Sequence, residues 1–127
     1  MRFEVDSEPK GLCVRSKIWI EDANEEVVFG SGRLFILEAV AKHGSINAAA
    51  HDLHMSYRAV WGKIRATEKR LGQPLLSRKT GGAQGGGSEL TPFARDLIDR
   101  YGKLQAIIRN STDELFEDLF VPAMREK

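Results

Sequence analysis

The side chains best placed to do chemistry lie between Ser56 and Lys79: Tyr57, Arg58, Trp61, Arg65, Arg78 and Lys79. A guanidinium fork pairs with phosphate or with two acceptors on a base edge. A tyrosine hydroxyl donates to phosphate, and an indole face stacks. Directly after them comes TGGAQGGGSELT, Thr80 to Thr91, in which five of the seven residues from Gly81 to Gly87 are glycine. Glycine loses the most backbone freedom on folding, so such a loop is costly to order. It is either an idle linker or a cradle whose backbone N–H groups meet phosphate. A nucleotide phosphate would imply an enzyme; a nucleic-acid backbone would imply a binding module.

The flanks argue against the enzyme. A nucleotide cradle needs a preceding hydrophobic parallel strand and a Gly-Lys-Ser/Thr or GxGxxG pattern that opens a helix. GGAQGGGSEL has neither, and the next helix signal is Thr91-Pro92. No Ser–His–Asp set or carboxylate pair is spaced for catalysis, so no catalytic residue and no cofactor is expected. His43, His51 and His54 have no well-placed cysteine or acid, and no metal site is expected. Cys13 is the only cysteine, which rules out an internal disulfide; it reads as a small core residue.

The positioning elements follow from periodicity. Residues 12–20, LCVRSKIWI, alternate as a strand, and Val27 to Phe29 return as its hairpin partner. Gly30-Ser31-Gly32 breaks the chain. From Arg33, Leu34, Phe35, Leu37, Val40 and Ala41 mark one side of a helix ending at His43-Gly44. Ser45 caps a second helix, Ile46 to about Leu53, and Ser56 caps a third that runs to about Leu71. Strands Leu75–Arg78 and Ser88–Leu90 then flank the glycine loop. Thr91-Pro92 opens a long helix, Phe93 to about Phe120. The expected fold is mainly α with a small β wing: a winged helix-turn-helix with an N-terminal β-hairpin and a long C-terminal dimerisation helix. Residues 1–29 form the N-terminal segment, 30–91 the winged helix-turn-helix, 92–121 the long helix and 122–127 a tail.

On the third helix, Val60, Ile64, Thr67 and Leu71 share one sector, the core face. Arg58, Trp61, Gly62 and Arg65 fall opposite. Recognition helices present such a face to base edges in the major groove. Gly62 costs ~1 kcal/mol against alanine in mid-helix, which makes sense if something comes very close there. Trp61 either contacts the groove or buries against the wing. Charge agrees. The chain's net charge is only +1, yet Tyr57 to Gly81 holds Arg58, Lys63, Arg65, Lys69, Arg70, Arg78 and Lys79 against the single acid Glu68.

The stretch GSINAAAHDLHMSYRAVWGKIRATEKRLGQPLLSRKTGGAQGGGSELTPFARDLIDRY resembles the N-terminal DNA-binding domain of the molybdate-responsive transcriptional regulators, the ModE family. Through AAAHDLHMS, Val60 and LGQPLLSR it is similar, more distantly, to LysR-type regulators. MSYRAVW and TGGAQGGGSELT carry the ModE likeness, which covers about Gly30 to Tyr101. The resemblance implies a winged-helix, sequence-specific bacterial transcriptional regulator of molybdate-transport or other molybdenum-related genes. It also implies a homodimer on a palindromic double-stranded operator. The family's C-terminal molybdate-binding domains are not expected beyond Lys127. A single-domain member is expected, with any effector-binding protein separate. His54 stands where a helix-turn-helix often has glycine, and histidine tolerates left-handed backbone there.

The expected DNA contacts are Ser56, Tyr57, Arg58, Trp61, Gly62, Arg65, Arg78, Lys79, Thr80, Gly82, Gly85 and Gly86, with Ser56 first of all an N-cap. Leu97, Tyr101, Leu104, Ile108, Leu115 and Leu119, near heptad spacing on the long helix, are the expected dimer interface. Phe93, Ile98, Ile107, Phe116 and Phe120 widen that stripe beyond what one domain's core needs. No apolar run reaches the ~20 residues of a membrane span, and no secretory signal is visible, so a cytoplasmic protein is expected. The alternative function is a winged-helix protein-interaction module that does not bind DNA.

Overall fold

The computed structural model describes residues 11–79 and 87–125. The chain divides into two compact units, residues 18–99 and residues 1–17 with 100–127.

The first unit opens with a hairpin, β1 (Trp19–Glu21) against β2 (Val27–Gly30). The strand expected over 12–20 is much shorter than its alternation suggested, because β2 has only enough residues to pair the last part of it. Asp22 shapes the turn: its Oδ1 accepts the N–H groups of Asn24 and Glu26 at 2.9 and 3.0 Å. Glu25 takes the left-handed backbone there, at φ 64°. β2 then runs directly into α1 (Ser31–His43). The expected break at Gly30–Gly32 is absent: Gly30 is the N-cap, and Ser31 and Gly32 are helical.

The buried face of α1 is Ile36, Leu37, Ala39 and Val40. Phe35 and Ala41, expected on the inward side, are exposed. Leu34 to Leu37 are four apolar residues in a row, so two stripes satisfy the helical period, and packing against β2, α2 and α3 selects one of them. Gly44 ends the helix in left-handed backbone and donates to Val40 O at 2.8 Å.

α2 (Ile46–Asp52) is capped by Ser45, whose Oγ accepts the Ala48 N–H at 3.0 Å. The turn to α3 (Tyr57–Leu71) passes through His54 at φ 58°, the left-handed conformation expected of it. Ser56 Oγ accepts the Ala59 N–H at 3.0 Å, and Gly72 closes the helix at φ 71°. Val60, Ile64 and Thr67 are fully buried, as their shared sector predicts. Thr67 Oγ1 donates to Val28 O at 2.6 Å, and Arg70 donates to Val27 O and pairs with Glu26 at 3.1 Å. These bonds lock the third helix onto the N-terminal hairpin.

β3 (Leu76–Lys79) pairs antiparallel with β4 (Gly87–Leu90), in register Leu76 with Leu90 through Lys79 with Gly87. Thr91 joins this wing to α4 (Pro92–Arg125). Its N–H donates to Leu75 O, its hydroxyl donates to Pro74 O, and the same oxygen accepts the Ala94 N–H at 3.1 Å.

In the second unit, α4 continues through the apolar positions anticipated for it and past Phe120 to Arg125, with Pro122 inside the helix. Tyr101 and Val121 are buried, while Leu104, Ile107, Leu115, Leu119 and Phe120 are exposed. Phe116 and Phe120 stack, with ring centroids 5.2 Å apart. Cys13, expected in a core, is half-buried.

Candidate nucleic-acid interface

α3 has two faces of opposite character. With Val60, Ile64 and Thr67 inward, Arg58, Trp61, Gly62 and Arg65 are all exposed, as the helical phase requires. Tyr57 sits at the N-terminal end with half its surface open, at 51%. Lys63 and Lys69 add two exposed cations, and Arg78 and Lys79 project from the exposed β3. Arg70 does not join them, because its guanidinium is held by the hairpin. Arg33 is also outside this face. Burial, and then the charge of Arg70, push its pKa below the ordinary arginine value.

Trp61 is 41% exposed, which leaves a large ring surface open. It is not buried against the wing, although the two line one shallow groove. That groove runs between α2, the start of α3 and the wing, past Asn47, Tyr57, Trp61, Ser77, Arg78 and Ser88. It brings Asn47, Ser77 and Ser88 together with two aromatic side chains and a guanidinium. Asn47, Ser77 and Ser88 carried no signal of their own in the sequence. Their placement depends on the wing docking beside α2.

The docking is visible at Gly87. Ser88 donates its N–H to Gly44 O at 2.8 Å, which ties β4 to the turn between α1 and α2. A Cβ on Gly87 would lie 2.8 Å from the same oxygen. This glycine therefore permits a close backbone approach and belongs to the scaffold. Gly62 is the contrary case: a Cβ there would meet nothing within 4 Å. Nothing inside the chain requires a glycine at that position.

Arg65 is held from two sides. Its guanidinium lies 5.3 Å from the Trp61 ring centroid and 3.4 Å from Glu68 Oε1. Ser56 is occupied as the α3 cap, so its hydroxyl has a structural duty at this end of the helix. The expected contacts Thr80, Gly82, Gly85 and Gly86 lie outside the described residues. Of the expected dimer positions, Leu104, Leu115 and Leu119 are exposed, Leu97 and Ile108 are half-buried, and Tyr101 is buried within its own chain. Among the described residues there is no group of three or more His, Cys, Asp or Glu side chains able to hold a metal ion. His43 instead lies 3.3 Å from Asp52, linking the ends of α1 and α2.

A capped α2, a tight turn at His54, an outward-facing α3 and a two-stranded wing docked on the helices define a winged helix-turn-helix. Residues 32–95, about half of the chain, match the model of the bacterial regulatory helix-turn-helix proteins of the lysR family. The chain belongs to that family, whose members are transcriptional regulators.

The chain is 35% identical over 98 residues to the molybdenum transport protein ModE of Azotobacter vinelandii, across 77% of this chain and 36% of that protein. It is 39% identical over 96 residues to the molybdenum-pterin-binding protein MopB of Rhodobacter capsulatus, across 76% of this chain and 34% of that protein. It thus spans about a third of the length of these relatives. Among solved structures it is similar to the CbnR DNA-binding domain in complex with DNA. The TM-score is 0.52 with 28% sequence identity, over 68% of this chain and 93% of the other. Among the described residues no helix is long and apolar enough to cross a membrane.

Proposed function

We propose that the chain binds double-stranded DNA as a homodimer and regulates transcription of molybdenum-related genes. The observation that carries this reading is the exposed face of α3: Arg58, Trp61, Gly62 and Arg65 point outward on a helix that buries Val60, Ile64 and Thr67 on its other side. In this reading α3 enters the major groove, and Arg58 and Arg65 reach base edges or phosphates. Tyr57, Arg78, Lys79 and the wing residues Thr80, Gly82, Gly85 and Gly86 meet the sugar–phosphate backbone. The groove past Asn47, Ser77 and Ser88 follows the same strand. The work takes place in the cytoplasm.

The homodimer is supported by α4, where Leu115 and Leu119 are 56% and 67% exposed. Apolar surface of this extent on one helix calls for a partner, and a two-fold pair is the simplest. Two copies related by a two-fold axis read a palindrome. The link to molybdenum rests on the relatives' names, ModE and MopB, and on the likeness of MSYRAVW and TGGAQGGGSELT to the ModE DNA-binding domain.

Selection of bound duplexes from a random pool tests the reading. A palindromic site is expected. Affinity for it should fall linearly with the logarithm of salt concentration, and Lys79→Ala should make that slope shallower by about one per subunit. No enriched site and no salt dependence would refute DNA binding and favour a protein-interaction module.

A further inference from the structure

The recognition helix and the wing meet at Glu68, whose side chain is only 13% exposed. Its two carboxylate oxygens have different partners. Oε2 accepts the Leu75 N–H at 2.8 Å, at the entry to β3. Oε1 faces Arg65 Nη1 at 3.4 Å. An arginine–glutamate pair with an exposed guanidinium adds little stability by itself. Here, however, the carboxylate is already fixed by a backbone amide. The guanidinium is also bounded by the Trp61 ring, 5.3 Å away at its centroid. A long side chain bounded on two sides has less freedom to lose when it meets a base.

We propose that Glu68 is a positioning residue for sequence readout: it holds Arg65 in a set pose and registers that pose to the wing. The proposal rests on the assignment of α3 as the recognition helix. It has a consequence that a purely structural role lacks. A carboxylate beside the basic face repels phosphate, so Glu68 weakens binding to arbitrary DNA while sharpening preference for one site.

Glu68→Gln separates the roles. The amide oxygen still accepts the Leu75 N–H, while the negative charge facing Arg65 is gone. Sites are first selected from random duplexes with the parent protein. The parent, Glu68→Gln, Arg65→Ala and the double variant are then titrated on the selected duplex and on a shuffled one. Glu68→Gln should melt with the parent and bind the shuffled duplex as well or better. It should lose about threefold to tenfold in discrimination, and should cause no further loss when Arg65 is already alanine. Glu68→Ala, which also releases Leu75, should weaken binding to both duplexes. Unchanged discrimination in Glu68→Gln overturns the proposal, as does an equal loss in the Arg65→Ala background. A parent that selects no site at all overturns the DNA-binding function and this proposal with it, and that result is distinct from a selective parent with an indifferent Glu68→Gln variant.

Discussion

A single methyl group at Gly62 separates what the fold needs from what a partner needs. Gly62 lies mid-way along α3 on its exposed face, and an added Cβ would meet nothing within 4 Å. Glycine in a helix interior is less favourable than alanine by about 0.8–1.0 kcal/mol. With no clash to offset that gain, Gly62→Ala should stabilise the protein by about that amount. For a domain of this size the melting temperature should rise by roughly 3–6 °C, followed by circular dichroism. If the helix packs closely into a groove at that position, the same methyl group overpacks the contact at a cost of about 1–3 kcal/mol. Affinity for a selected duplex should then fall by roughly fivefold to a hundredfold, read by fluorescence anisotropy. The two effects have opposite signs, so neither is a by-product of the other. A lower melting temperature would show that the space around Gly62 is not open. An unchanged affinity would show that no close approach occurs there and would remove the functional account of this glycine.

Gly87→Ala should behave in the opposite way. The new Cβ would press on Gly44 O, which accepts the Ser88 N–H. A loss of about 1–3 kcal/mol in stability and faster amide exchange at Ser88 are expected; parental melting and exchange would contradict the docking. Leu115→Lys with Leu119→Lys should convert a dimer into a particle of 14.2 kDa by sedimentation, whereas a persisting dimer would place the interface elsewhere. Burial raises the pKa of Tyr101 above the ordinary tyrosine value. The neutral phenol therefore contributes stability that is complete below about pH 10 and is lost as pH rises through the folded value. Melting temperature measured upward from about pH 10 should fall more steeply for the parent than for Tyr101→Phe, and parallel curves would refute the assignment.

The third helix was the most legible part of the sequence because several independent signals coincide on it. Ser56 and Gly72 cap it, and Val60, Ile64 and Thr67 fall on one face with no competing stripe. The phase of those three residues alone places Arg58, Trp61, Gly62 and Arg65 outward. α1 is less legible for the converse reason: its run of four apolar residues fits two faces, and the structure leaves Phe35 on the exposed one. The first strand is shorter than its alternation suggests because alternation at Leu12 and Val14 is a property of one segment, while a strand requires a partner of matching length. The role of Gly87 was hidden for a different reason. Its neighbour is Gly44 O, from a distant turn, and no local pattern announces a contact made by tertiary packing. Glu68 shows the same limit. The sequence displays one acid in a basic run, but only the fold shows that this acid has both Leu75 and Arg65 as partners.

A chain of net charge +1 would not by composition be taken for a protein that meets a polyanion. The fold resolves this by the placement of its acids. Glu26 pairs with Arg70 at the hairpin and removes that arginine from the basic surface. Glu68 is turned toward the wing and largely covered. Arg58, Arg65, Lys69, Arg78 and Lys79 remain exposed on α3 and β3. At physiological ionic strength, charges are screened over about 8 Å, so a partner at contact range responds to this local face far more than to the chain's total. The same separation explains why the hairpin is more than an N-terminal ornament. By holding Arg70 and the Thr67 hydroxyl, it fixes the buried side of α3 and with it the angle at which the exposed side is presented. Loss of the hairpin should therefore act on recognition through helix orientation, although none of its residues is assigned a contact with DNA.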